Sequence, residues 1–242
     1  MEVAAYGEHL VRITRYPRVF PVNVYLVREE DGFTLVDAGL GGGEREILGI
    51  AKERGGEIRR IALTHAHADH VGSLDGLRDA LPEAEVLVPA REARFLRGDL
   101  GLEPEERSRG KLRGSWKTTQ TWPTREVSPG DRVGSLAVVA APGHTPGHVA
   151  FLDTRDGTLV AGDAFQTRAG IAVSGVLRPL FPFPALATWS LATALESARA
   201  LRGLDPSRLA VGHGPVIADP PRAMDRAIAE AGRKAGGGRR AG

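Results

Sequence analysis

The segment Thr64-His65-Ala66-His67-Ala68-Asp69-His70 follows directly on a buried-strand signal, Ile58 to Leu63, and it constrains the fold more than any other stretch of the chain. Three similar junctions lie downstream: Gly143-His144, Gly162-Asp163 and Gly212-His213, each at the end of an apolar stretch with strand composition. Strands hold the bases of their loops rigidly, so imidazoles and carboxylates far apart in sequence can converge on one point. His65 and His67, two residues apart on an extended loop, can project to the same side and bind one cation. Asp69 and His70 then turn towards a second, and Asp163 can bridge two cations through its two oxygens. Neutral imidazole and carboxylate suit zinc, manganese or iron. The blander possibility is that these histidines satisfy buried backbone groups or cap the next helix. One histidine alone would favour it, but five of the chain's seven sit at such strand ends.

Cysteine is absent, which excludes disulfides, thiolate nucleophiles and thiolate ligands, so any metal must be held by histidine and carboxylate. The 242 residues, 42% of them hydrophobic, suffice for one substantial core, and no linker-like stretch divides them. One domain over residues 1–232 is expected, followed by a basic Gly-rich tail, 233–242, that is solvated and disordered. The net charge is +2, and Arg233, Lys234, Arg239 and Arg240 carry +4 of it, leaving −2 for residues 1–232. The body is therefore not a basic nucleic-acid binder. No apolar run in the first twenty residues is long enough for a signal peptide or membrane anchor, so a cytoplasmic protein acting on a small molecule is expected.

The strand signals are His9 to Thr14, Val22 to Val27, Phe33 to Val36, Ile58 to Leu63, Val86 to Val88, Leu136 to Ala140, Ala150 to Asp153, Thr158 to Ala161 and Leu209 to Val211. Helical composition covers Glu44 to Arg54, Val71 to Leu81, Ser190 to Arg202 and Arg222 to Ala231. Residues 91–125 lose periodicity after a short helical stretch and read as an excursion or lid. Periodicity alone gives mixed α and β.

The Thr64–His70 segment resembles the His-x-His-x-Asp-His signature of the metallo-β-lactamase superfamily. Val36-Asp37-Ala38-Gly39, Pro142 to His148, Leu159 to Asp163 and Gly212-His213-Gly214 resemble its other motifs in the same order. The resemblance implies an α/β (α+β) fold, a four-layer αββα sandwich with its site at the edge between two sheets. It assigns His65, His67 and His144 to a first metal and Asp69, His70 and His213 to a second, with Asp163 bridging. Two divalent ions are implied, zinc foremost, with iron or manganese as alternatives. The implied reaction is attack of a metal-bridged hydroxide on an ester, thioester or lactone carbonyl, with Asp69 passing a proton to the leaving group. Asp37 and His148 are read as orienting ligand loops, and His9 as a surface residue.

Substrate class is less legible. Missing cysteine lowers the β-lactamase reading, and with only a short segment after Gly214 a glutathione thioester, which glyoxalase II-like enzymes bind through an extra C-terminal helical region, is not expected. Lactonases of this type carry a tyrosine near the bridging aspartate, where this chain has Ala164, Phe165 and Gln166. Phosphodiesterases and nucleases share the ligands, and persulfide dioxygenases share the fold while using one iron. Phe20 and Phe165 are the pocket candidates. Phe181 and Phe183 follow as further possibilities, whereas Trp189 is read as core. A homodimer is open.

Overall fold

The computed structural model describes residues 1–237. Seven strands form the first sheet in chain order: β1 (Glu2–Tyr6), β2 (Leu10–Arg15), β3 (Val22–Glu29), β4 (Gly32–Val36), β5 (Ile58–Ala62), β6 (Glu85–Pro89) and β7 (Arg125–Val127). The first four are antiparallel and joined by tight turns; from β4 onward the pairing is parallel. Parallel neighbours need crossovers. These are supplied by α1 (Glu44–Glu53), then α2 (Ala68–Val71) with α3 (Leu74–Ala80), then α4 (Ala90–Leu96) with α5 (Pro104–Arg109).

The second sheet begins with β8 (Arg132–Val133), β9 (Leu136–Ala140), β10 (Val149–Asp153) and β11 (Thr158–Val160). The chain then makes a hairpin, β12 (Phe165–Gln166) and β13 (Ala172–Val173), and two helices, α6 (Phe183–Leu186) and α7 (Leu191–Gly203). It returns as β14 (Arg208–Ala210), parallel to β11, and β15 (Ile217–Ala218), and ends in α8 (Pro221–Gly237), packed on α7.

Side-chain alternation along the strands explains the layering. Tyr25, Val36, Ala62 and Leu87 from the first sheet meet Val138, Val149, Phe151 and Val160 from the second in one apolar core between the sheets. The opposite faces bury Leu26, Phe33, Leu35 and Ile61 under α1 to α4, and Ala150, Leu159 and Leu209 under α7 and α8. Strands covered on both sides must be apolar on both sides, hence the nearly continuous hydrophobic runs. The result is the four-layer αββα sandwich.

Several elements differ from the sequence expectation. The helix expected over Val71 to Leu81 is broken at Gly72-Ser73, because the Gly72 N–H donates to the Gly39 carbonyl at 2.7 Å and a Cβ there would sit 2.3 Å from the Gly41 nitrogen. The 91–125 excursion contains α4 and α5 and rejoins the first sheet as β7. β1, β15, the β12–β13 hairpin and α6 carried no sequence signal. Part of the expected tail is helical: α8 runs to Gly237, with Lys234 Nζ 3.5 Å from Glu230 one turn earlier, and residues 238–242 lie outside the described residues. His9, expected at the surface, is half-buried, its backbone carbonyl accepting the Arg28 N–H at 2.8 Å. No described helix is long and apolar enough to cross a membrane.

Candidate metal centre

All seven predicted ligands meet at one edge of the sandwich. The loop after β5 brings His65, His67, Asp69 and His70; the loop between β9 and β10 brings His144; the ends of β11 and β14 bring Asp163 and His213. Three groups have their donor atoms within 4.8 Å of one another: His65, His67 and His144; His65, His70 and Asp163; Asp69, His70 and His213. Asp163 lies between the first and last of these, with Oδ1 3.4 Å from His70 Nε2, and Oδ2 3.4 Å from His144 Nε2 and 3.2 Å from His213 Nε2.

Each imidazole is fixed by its other nitrogen. His65 Nδ1 donates to Thr64 Oγ1 (3.0 Å), His67 Nε2 to the Arg113 carbonyl (3.0 Å), His70 Nδ1 to Asp37 Oδ2 (2.8 Å), His144 Nδ1 to Ser174 Oγ (3.0 Å) and His213 Nδ1 to the Pro21 carbonyl (2.7 Å). A metal-binding histidine needs such a partner to set its tautomer. The inward atoms His65 Nε2, His70 Nε2 and Asp163 Oδ1 are buried without any hydrogen-bond partner. Buried polar atoms are rarely left so, and cations at the centre would satisfy all three. The donor set therefore fits a metal.

Asp37 and His148 hold the frame. Asp37, at φ +63° after β4, accepts the Thr64 N–H (2.7 Å) and hydroxyl besides the His70 N–H. His148 Nε2 accepts the Asp163 N–H at 3.0 Å. Gly143, at φ +140°, turns the His144 loop against α7, where a Cβ would be 2.3 Å from Ala194 Cα.

The electrostatics divide the ligands. Burial holds His65 and His144 well below the ordinary histidine range and pushes His67 down to about 4, so this trio is neutral. Burial also opposes charge on His213 and His70, but Asp163 and Asp69 outweigh it for His213, pushed up to about 10, as Asp37 and Asp163 do for His70. Both acids are likewise held low by the histidines in spite of their burial. The first trio is set to bind a cation as it stands; in the second group a cation would have to displace protons.

Sequence reasoning missed Glu92. It lies fully buried on α4 and accepts the Ala66 N–H at Oε2 (2.9 Å) and the Gly147 N–H at Oε1 (2.8 Å), tying the two loops that carry the first trio. No local signal marks it, since its burial arises only when α4 docks. Burial pushes its carboxyl from 4.5 up to about 7. The unfolded chain thus ionises this group first, and the stability it contributes is full below about pH 4.5 and falls as pH rises towards 7. Glu92→Gln, which cannot ionise, is expected to gain roughly 3 kcal/mol relative to the unmutated chain across that window. Denaturant unfolding of both metal-free proteins from pH 4.5 to 8 checks this, and a constant difference would refute it.

The 91–125 segment closes over the first trio. Ala68 N–H donates to the Ser115 carbonyl at 2.8 Å, Trp116 packs 4.5 Å from the His67 ring, and Gly114, at φ +89°, leaves no room for a Cβ, which would lie 2.5 Å from His67 Nε2. Beside it opens a cavity of about 500 Å³ onto His67, Asp69, His144, Asp163 and His213, walled by residues such as Phe20, Leu40, Phe183 and Leu186. Phe20 is where sequence placed it. Phe165 is not: it is fully buried with Val173, Ala194 and Leu201 in the core outside the second sheet, because β12 turns that side chain away from the site. Phe183 takes its place in the wall. Trp189 is buried as expected, its Nε1–H donating to the Glu106 carbonyl at 3.2 Å.

Residues 17–213 match the sequence model of the Metallo-beta-lactamase superfamily. The chain is 47% identical over 220 residues to uncharacterized protein YobT of Bacillus subtilis, covering 91% of this chain and 94% of that one. It is 32% identical over 213 residues to "Probable metallo-hydrolase YflN" of the same organism, covering 79% and 80%. Among solved structures it resembles TTHA1623 in a di-iron-bound form, with a TM-score of 0.64, 28% identity and coverage of 88% and 96%. The DIM-1 metallo-β-lactamase shares the fold at a TM-score of 0.72 and 15% identity, covering 96% and 97%. With its αββα sandwich, its His/Asp cluster at the sheet edge and this match, the chain belongs to the metallo-β-lactamase superfamily.

Proposed function

We propose that this protein is a binuclear metal-dependent hydrolase that cleaves an uncharged carbonyl substrate, an ester, thioester or lactone. The observation that carries the reading is the pair of ligand groups, His65/His67/His144 and Asp69/His70/His213, with Asp163 between them. Zinc is the metal that histidine and carboxylate suit best, and iron, which TTHA1623 binds, is the alternative. Two cations held there would lower the pKa of a shared water and polarise the substrate carbonyl.

The chain's own groups supply the rest. Asp163, kept ionised by His213 and His70 against its burial, is an acceptor facing both ligand groups. Asp69 is both a ligand and the more exposed of the two carboxylates lining the cavity, its side chain 21% exposed against 3% for Asp163, so it can carry a proton to a leaving group. Phe20, Leu40 and Leu186 give the cavity an apolar wall. Among the described residues no lysine or arginine lines the cavity, which speaks against phosphodiesters and for neutral substrates.

Metal analysis of the purified protein together with a panel of nitrophenyl esters, lactones and thioesters tests the reading. Two cations per chain and hydrolysis that chelation abolishes are expected. One iron per chain with oxygen consumption would assign the protein to the mono-iron dioxygenase type instead.

A further inference from the structure

An apolar track leads from the ligand cluster to the surface. Phe181, 1% exposed, stacks 5.5 Å from the His213 ring. Phe20 stands next, half-buried, 5.3 Å from His213 and 5.5 Å from Phe181. Phe183 lies 5.2 Å beyond Phe20 and is 51% exposed. Leu186, in the same cavity wall, is 57% exposed, and Val19 and Leu180, the chain neighbours of Phe20 and Phe181, are exposed to 81% and 89%. Single exposed apolar residues need no explanation, but side chains that prolong the wall of a cavity do.

The track begins where the carbonyl must sit and ends in solvent, and among the described residues no lysine or arginine lines the cavity it leaves. An occupant with a carbonyl at one end and an uncharged, flexible hydrocarbon behind it matches that gradient. A carboxylate or phosphate tail would be desolvated there without a partner. We propose that the track is the acyl site of the hydrolase, and that its substrate is a straight-chain fatty acyl ester, thioester or lactone whose tail runs along Phe20, Phe183 and Leu186 towards Leu180. This rests on the hydrolase reading. In the reaction one water is consumed: its oxygen joins the acyl carbon, the bond from that carbon to the leaving oxygen or sulfur breaks, and the leaving group takes a proton.

The test uses the metal-loaded protein and 4-nitrophenyl esters from acetate to decanoate. The specificity constant kcat/KM is expected to rise by up to about fourfold per methylene, the ~0.8 kcal/mol of a buried CH₂ converted through RT, until the tail clears the rim. Leu186→Ser is expected to lower the octanoate-to-acetate ratio about tenfold, the smaller end of what a buried leucine contributes. Acetate hydrolysis with no chain-length dependence overturns the acyl track and leaves the hydrolase reading intact. If no ester, thioester or lactone of the panel is cleaved, the hydrolase reading fails, and calorimetry with acetohydroxamate and octanohydroxamate still decides the track: tighter octanohydroxamate supports it and equal affinity rejects it. A dimer by light scattering that Leu180→Ser dissociates, with the ester ratio unchanged, would give the patch to a second copy and overturn the proposal.

Discussion

Asp163→Ala is expected to retain less than one cation per chain and to lose about a thousandfold or more in kcat/KM, the scale set by removing a group that stabilises charge at the reacting centre. The reason is position. Its carboxylate is the one acid lying between the two ligand groups, 3.2–3.4 Å from His70, His144 and His213, and it is buried to 3% exposure. Without it five imidazoles crowd one another, and the charge that His70 and His213 carry in the metal-free state loses the carboxylate the two share, leaving only Asp37 and Asp69. Such a variant could be expected to lose stability as well, so Asp163→Asn, which keeps the volume, is the companion. Metal content after dialysis and hydrolysis of the best panel substrate read both variants, and unchanged metal content would remove Asp163 from its shared position.

Asp37→Asn has a subtler route to a large effect. The carboxylate accepts from His70 Nδ1, which leaves the Nε2 lone pair aimed at the centre. An amide oxygen at position 37 would still accept the Thr64 N–H, while the amide nitrogen would face His70 and donate to Nδ1. The proton would then move to Nε2, the atom that must bind. The fold is expected to survive and affinity for one cation to fall ten- to hundredfold, the usual cost of losing an orienting partner. Competition against a chromophoric chelator measures this, with unfolding followed in parallel. Unchanged affinity for both cations would show that the tautomer at His70 is set elsewhere.

The ligand set was legible because its chemistry and its placement coincide. His65 to His70, His144, Asp163 and His213 each follow a strand signal, and a strand end is where a side chain is held well enough to bind a metal. The orienting role of Asp37 and His148 was legible only through the family resemblance, since nothing in their spacing required it. Phe165 misled because closeness in sequence to Asp163 says nothing of which face a two-residue strand shows to the core. Glu92 was illegible for a different reason: an acid on a helix reads as solvated until docking buries it. The break at Gly72 was hidden in the same way, as it answers to the backbone of Gly39 and Gly41, which approaches only in the folded chain.

The placement of the ligands across the sandwich has a mechanical meaning. His65, His67, Asp69 and His70 belong to the first sheet, whereas His144, Asp163 and His213 belong to the second, and each ligand group draws on both. A cation in either position would therefore be a rivet through the two halves of the molecule, set by the distance between two sheets that also meet through their apolar core and through hydrogen bonds such as Asn23 Nδ2–H to the Val211 carbonyl at 2.7 Å and the Val149 N–H to the Thr64 carbonyl at 3.0 Å. Slippage between the halves would register first as lost metal, before any strand came apart. Loaded with metal, the candidate centre would double as the gauge of the sandwich's own alignment.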